Sequence, residues 1–98
     1  MLFRSALAAR TPDVAGRLEV RDVADARRAL ADLTARYAGI ETTERDERNG
    51  AEIELVIPLT AYADFAQALA SIGRWTIDRE APTLPERVRL SIRLTSRS

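Results

Sequence analysis

The chain has no cysteine, no histidine and no lysine. Without cysteine there are no thiolate nucleophiles, disulfides or thiolate metal sites. Without histidine there is no imidazole for acid–base work near neutral pH. All 15 basic residues are arginine, and the 15 acidic residues cancel them. A net charge of zero gives no long-range pull toward nucleic acid or an anionic membrane. Aromatic residues are only 5% of the chain, and the four glycines are isolated. No glycine-rich phosphate loop can be built from them. No apolar run reaches the roughly 20 residues that span a bilayer, so no direct membrane insertion by this segment is expected. The first ten residues are too short and too broken for a signal peptide.

What is present is a chain of 98 residues, 46% hydrophobic and 31% charged. That suits one globular domain with one core. Residues 1–15 read as a loosely structured segment, closed by the turn signal Thr11-Pro12-Asp13. Residues 16–95 carry the domain, and 96–98 are a tail. From Gly16 the residues alternate, with Leu18 and Val20 inward and Arg17, Glu19 and Arg21 outward, as in a half-buried strand. Asp22 stands where a helix cap belongs. Val23, Ala26, Leu30, Leu33 and Tyr37 then share one helical face. Gly39 is expected to end that helix in the left-handed conformation.

A polar segment, 40–48, leads to Asn49-Gly50, a hairpin signal because both residues tolerate positive φ. Ile53, Leu55 and Ile57 alternate on the return strand with Glu52 and Glu54, and Pro58 is expected to stop pairing. Thr60 reads as the cap of a second helix. Tyr62, Phe65, Ala66, Leu69 and Ile72 form its apolar stripe, and Gly73 its end. Trp75–Asp78 is a short strand. Ala81–Pro85, with two prolines, is an irregular link. Val88, Leu90, Ile92 and Leu94 alternate with Arg89, Ser91 and Arg93 on the last strand.

The order β-α-β-β-α-β plus one strand predicts an α+β, ferredoxin-like βαββαβ sandwich with one extra C-terminal strand. Two helices lie on one face of an antiparallel sheet, and the other face stays open. The first and third strands then become neighbours, setting Arg17 and Arg21 across from Glu52 and Glu54. The last strand takes either the fourth place or the sheet edge.

The segment from Gly16 to about Arg79 resembles the bacterial domain of unknown function 4349, seen in lipoproteins and membrane-anchored envelope proteins. The residues that carry the resemblance are the strand-to-helix run RLEVRDVADARRALADL, the helix end YAGI, the strand-Pro-helix join AEIELVIPLTAYADF and the helix end ALASIGRW. The resemblance implies an envelope or periplasmic location and no known enzymatic activity. It carries no functional residues. The C-terminal EAPTLPERVRLSIRLTSRS departs from that family, and no lipid-acceptor cysteine is present. A related possibility is the extracytoplasmic domain of a membrane-anchored regulator such as an anti-sigma factor.

Carboxylates are the only residues left for hydrolytic or metal chemistry. Glu44, Asp46 and Glu47 cluster before the turn, but lie among Arg45 and Arg48, where solvation leaves a carboxylate ordinary. Their spacing does not match a calcium loop. RNA-recognition modules stack bases on aromatics of an open sheet. Here the outward positions are arginine and glutamate, so no nucleic-acid partner is expected. The reading is a non-enzymatic interaction or sensory domain, without catalytic, metal or cofactor residues. It acts on a protein partner or a second copy through Arg89, Arg93, Glu52 and Glu54, and if the last strand is an edge, by strand addition. The alternative is a small-ligand-binding regulatory domain of a cytoplasmic protein.

Overall fold

The computed structural model describes residues 12–48 and 50–96. Residues 1–11 of the expected N-terminal segment lie outside the described residues, as do Asn49 and the end of the tail; Val14 and Ala15, expected in that segment, already belong to the first strand. The elements, in chain order, are β1 (Val14–Val20), α1 (Val23–Arg36), β2 (Ile40–Glu47), β3 (Gly50–Pro58), α2 (Leu59–Leu69), β4 (Arg74–Glu80) and β5 (Arg87–Ser96).

Sequence periodicity locates these elements well. Asp22 caps α1, its carboxylate accepting a hydrogen bond from the Asp25 N–H at 3.0 Å. Ala26, Leu30 and Leu33 are buried as the helical stripe requires, with Val23 and Tyr37 packed at its margins. Buried Thr34, which breaks that apolar pattern, donates its hydroxyl to the Leu30 carbonyl at 2.7 Å and so costs little. In β3 and β5 every second residue is sealed from water: Ala51, Ile53, Leu55 and Ile57 on one, Val88, Leu90, Ile92 and Leu94 on the other. Phe65 and Leu69 of α2 close the core over them. Both helices therefore cover the same face of the sheet.

The sheet is five-stranded and mixed, in the order β2-β3-β5-β1-β4. This differs from the expected arrangement, in which β1 and β3 are neighbours. β5 stands between them, antiparallel to β3 and parallel to β1. It is the middle strand, neither an edge nor an outer fourth strand. Burial is the physical reason. β5 carries four fully sealed aliphatic residues, whereas β2 and β4 carry no buried residue at all. The strand with the strongest apolar stripe gains most from neighbours on both sides. With β5 in the middle, Arg17 stands opposite Arg93 and Thr76, not Glu52, and Arg21 lies beyond the end of β1.

Reaching the middle requires residues 81–86 to pass the start of β1, and Asp13 pins that crossing. Its N–H donates to the Arg89 carbonyl at 2.9 Å, its carbonyl accepts from the Ala81 N–H at 2.8 Å, and its carboxylate accepts from the Arg89 N–H at 2.9 Å. Leu84 packs inward from the same link. The start of α2 is held by this link too. Thr60 is not the cap: the helix begins at Leu59, straight after Pro58, and the Leu59 N–H donates to the Glu86 carbonyl at 2.7 Å. A tertiary contact thus satisfies a helix-end donor that no side chain reaches. Pro58 still pairs, opposite Arg87, as the last residue of β3.

Glycine plays a different part from the one expected. No described glycine, Gly39 and Gly73 included, has positive φ; the left-handed residue after α1 is Ala38, at φ 61°. Gly39 is needed for closeness, since a Cβ there would lie 2.3 Å from Cδ1 of Ile57. Gly50 is likewise not a turn residue. It already pairs with Glu47 and presses on β5, where a Cβ would sit 1.8 Å from the Leu94 carbonyl oxygen.

Candidate interaction face

No described helix or strand covers the face opposite the helices. Strand register assigns its side chains to rows. One row runs Arg45, Glu52, Arg93, Arg17, Thr76 across β2, β3, β5, β1 and β4. The next runs Thr43, Glu54, Ser91, Ala15, Arg79. A third begins Ile40, Val56, Arg89. The four residues singled out from sequence are thus brought together on β3 and β5, with Glu52 and Arg93 directly opposite each other.

Their pairings are less symmetric than the register suggests. The Glu52 carboxylate takes the Arg45 guanidinium from β2 and accepts from the Ser91 hydroxyl at 3.4 Å. Arg93 turns to Glu47 at 3.5 Å, and Arg17 to Asp78 at 3.5 Å. Among the described residues neither Arg89 nor Glu54 joins an ion pair. Nη1 of Arg89 is buried without a hydrogen-bond partner, beside a void of about 10 Å³ lined by Pro12, Thr42 and Glu54. Nε1 of Trp75 is the other such nitrogen among the described residues. The Trp75 ring lies against Gly16, on the helix side of the sheet.

The carboxylates before the hairpin do not form one cluster. Strand alternation sends Arg45 and Glu47 to the open face and Glu44 and Asp46 to the helix side. There Arg27 of α1 grips both, at 2.8 and 2.7 Å. These two hydrogen bonds, Glu44 first, hold the Arg27 guanidinium above its ordinary pKa. Arg27 was invisible in the sequence because its partners lie 17 and 19 residues away. Glu41, nearby on β2, is raised by burial and then by the Glu44 charge, against a lowering pull from Arg27. Tyr62 is raised by burial and then by Glu80. Among the described residues no three acidic, histidine or cysteine side chains gather as metal ligands would.

A second feature went unnoticed in the sequence. At the corner where β2 begins and β3 ends, a cleft of about 280 Å³ is lined by Ala38, Ile40, Val56, Pro58, Glu86 and Arg87. The signal was an isolated aliphatic residue, Ile40, heading an otherwise polar strand; it is 63% exposed.

Searches of protein-family models, curated proteins and solved structures find no match for this chain.

Proposed function

We propose that this domain is a non-enzymatic interaction module that binds a protein partner on its open sheet face. The carrying observation is the contrast in cover. Two helices seal one side of the sheet, while the other presents Glu52, Glu54, Arg89 and Arg93 on adjacent strands, and two of these have no ionic partner among the described residues. Charged groups arranged this way favour specificity and encounter rate over raw affinity. Strand addition along β5 is no part of the reading, since both of its edges are already paired.

The envelope setting rests on the resemblance across residues 16–79. No helix among the described residues is long and apolar enough to cross a membrane. For the fold we favour a ferredoxin-like split βαβ with a fifth strand inserted at its centre. Deleting β5 from the observed order leaves β2-β3-β1-β4, with each helix crossing one intervening strand.

Site-specific photo-crosslinking in the full-length protein, in its native cells, tests the partner reading. A photoreactive residue at Thr43, exposed on the open face, should yield a discrete adduct. The same residue at Asp32, exposed on α1, should not. Alanine at Glu52, Glu54, Arg89 and Arg93 together should abolish the adduct. Equal adducts from both positions, none from Thr43, or an adduct that survives the four substitutions would overturn the proposal.

A further inference from the structure

We infer that the corner cleft is a binding site for a small apolar carboxylate, a short aliphatic or aryl acid. This goes beyond the partner reading and does not depend on it. Three observations converge. The floor is aliphatic: Ile40 and Val56 stand opposite each other in register, with Pro58 and Ala38 beside them. At 63% exposed, Ile40 is the most exposed large hydrophobic residue among those described, so a ligand laid on it removes apolar surface from water. The flank on β5 is cationic. Arg87 lines the cleft opposite Pro58, and its guanidinium has no ionic partner among the described residues. A planar guanidinium is the side chain best matched to a carboxylate.

The site is also held in place. The Glu86 carbonyl accepts the Leu59 N–H at 2.7 Å, which fixes the backbone leading into Arg87. Gly39 lets the chain between Ala38 and Ile40 sit against β3. At about 280 Å³ the cleft is near the lower bound, about 300 Å³, of small-molecule sites. Glu86 also lines it, and its carboxylate repels an anion. The ligand's carboxylate must therefore turn toward Arg87, with its apolar body over Val56 and Ile40. Neither half suffices alone. An alcohol of equal length gains only burial, and acetate gains only charge.

Titration of the ¹⁵N-labelled full chain with hexanoate, hexanol, acetate and hexylamine tests this by NMR. Hexanoate should give saturable shifts confined to Ile40, Val56, Arg87 and their neighbours. The other three should bind at least about tenfold more weakly, a difference of about 1.4 kcal/mol. Arg87→Gln should weaken hexanoate by a similar factor while leaving the rest of the spectrum in place. If that substitution disturbs the fold, Ile40→Ser, at an exposed position, provides the same reading. Shifts that do not saturate, that scatter over the surface, that hexanol or hexylamine reproduce equally, or that survive these substitutions would overturn the assignment.

Discussion

β5 has two sides that could belong to different proteins. On one, Val88, Leu90, Ile92 and Leu94 are each at most 1% exposed; on the other, Arg87, Arg89, Ser91 and Arg93 lie on the face that no described helix covers. The two sets share one backbone, one register and one pair of neighbouring strands. Whatever differs between them comes from what lies above and below the sheet. The helix side carries the stability of the fold, and the open side is free to carry a function. That division can be tested side by side on a single strand.

The largest effect is expected on the helix side. Ile92→Ala should cost about 2–5 kcal/mol, through lost transfer energy and the cavity left behind. That is a large share of the roughly 5–15 kcal/mol that holds a typical domain together. Urea denaturation measures it directly. A loss below about 1 kcal/mol would mean that the core repacks freely, and the contrast between the faces would fail.

Next in size is a gain, at the one described residue that the fold forces into an unfavourable backbone region. Ala38 sits at φ 61°, which costs a residue with a Cβ about 1–2 kcal/mol. Ala38→Gly should recover about 1 kcal/mol and raise Tm by about 4–8 °C. Gly39→Ala, one residue on, should do the reverse, because its Cβ has no room. If the two substitutions had the same sign, the account of how α1 hands over to β2 would be wrong.

This junction also shows how far the sequence could be read. Periodicity placed both helices and β1, β3 and β5, since burial imposes period 3.6 or 2 directly on the residues, whereas β2, with no buried residue, was marked only by the Asn49-Gly50 turn signal that follows it. The Asp22 cap was legible because its partner, Asp25, is three residues away. What depends on distant parts of the chain was not. Gly39 and Gly50 look like turn glycines, yet they are glycine because β3 and β5 pass within van der Waals reach of them. Strand order was misread for a related reason. Helical crossovers fix which strands are linked and on which face, but not whether a later strand will insert between them. Burial strength held the missing clue: the stripe of β5 matches that of β3, while Ile40–Glu47 has a single aliphatic residue, so β5 had to be interior. Of the candidate site, the outward-facing charges were legible from alternation. The partners they choose, and the Ile40 corner, were not, because both depend on the final register.

On the open face the effects should be small. The Arg45–Glu52 pair joins β2 to β3 across that surface, and the Arg45 side chain is 67% exposed. Exposed pairs of this kind contribute about 0.2–1 kcal/mol. A double-mutant cycle with Arg45→Ala and Glu52→Ala should return a coupling within that range, screened further by salt. A coupling of several kcal/mol would place the open face among the determinants of the fold and weaken its claim to be a recognition surface.

The smallest effect is a change in pH dependence, and it lies on the helix side, at the edge where cover runs out. Glu41 is pushed above its ordinary pKa by burial and by Glu44. Its folded value therefore exceeds its unfolded one, and the fold holds that proton more tightly than the unfolded chain does. Protonated Glu41 favours folding below the ordinary glutamate range, about pH 4. That advantage is lost as pH rises through the raised value, so at pH 7 the charged group is a net cost. Glu41→Gln should therefore raise the urea midpoint slightly at pH 7 and leave it unchanged near pH 3. A gain at low pH, or a loss at pH 7, would mean that Arg27 outweighs burial at this position. The margin of β2 would then be held by charge, as the open face is, and not by exclusion of water.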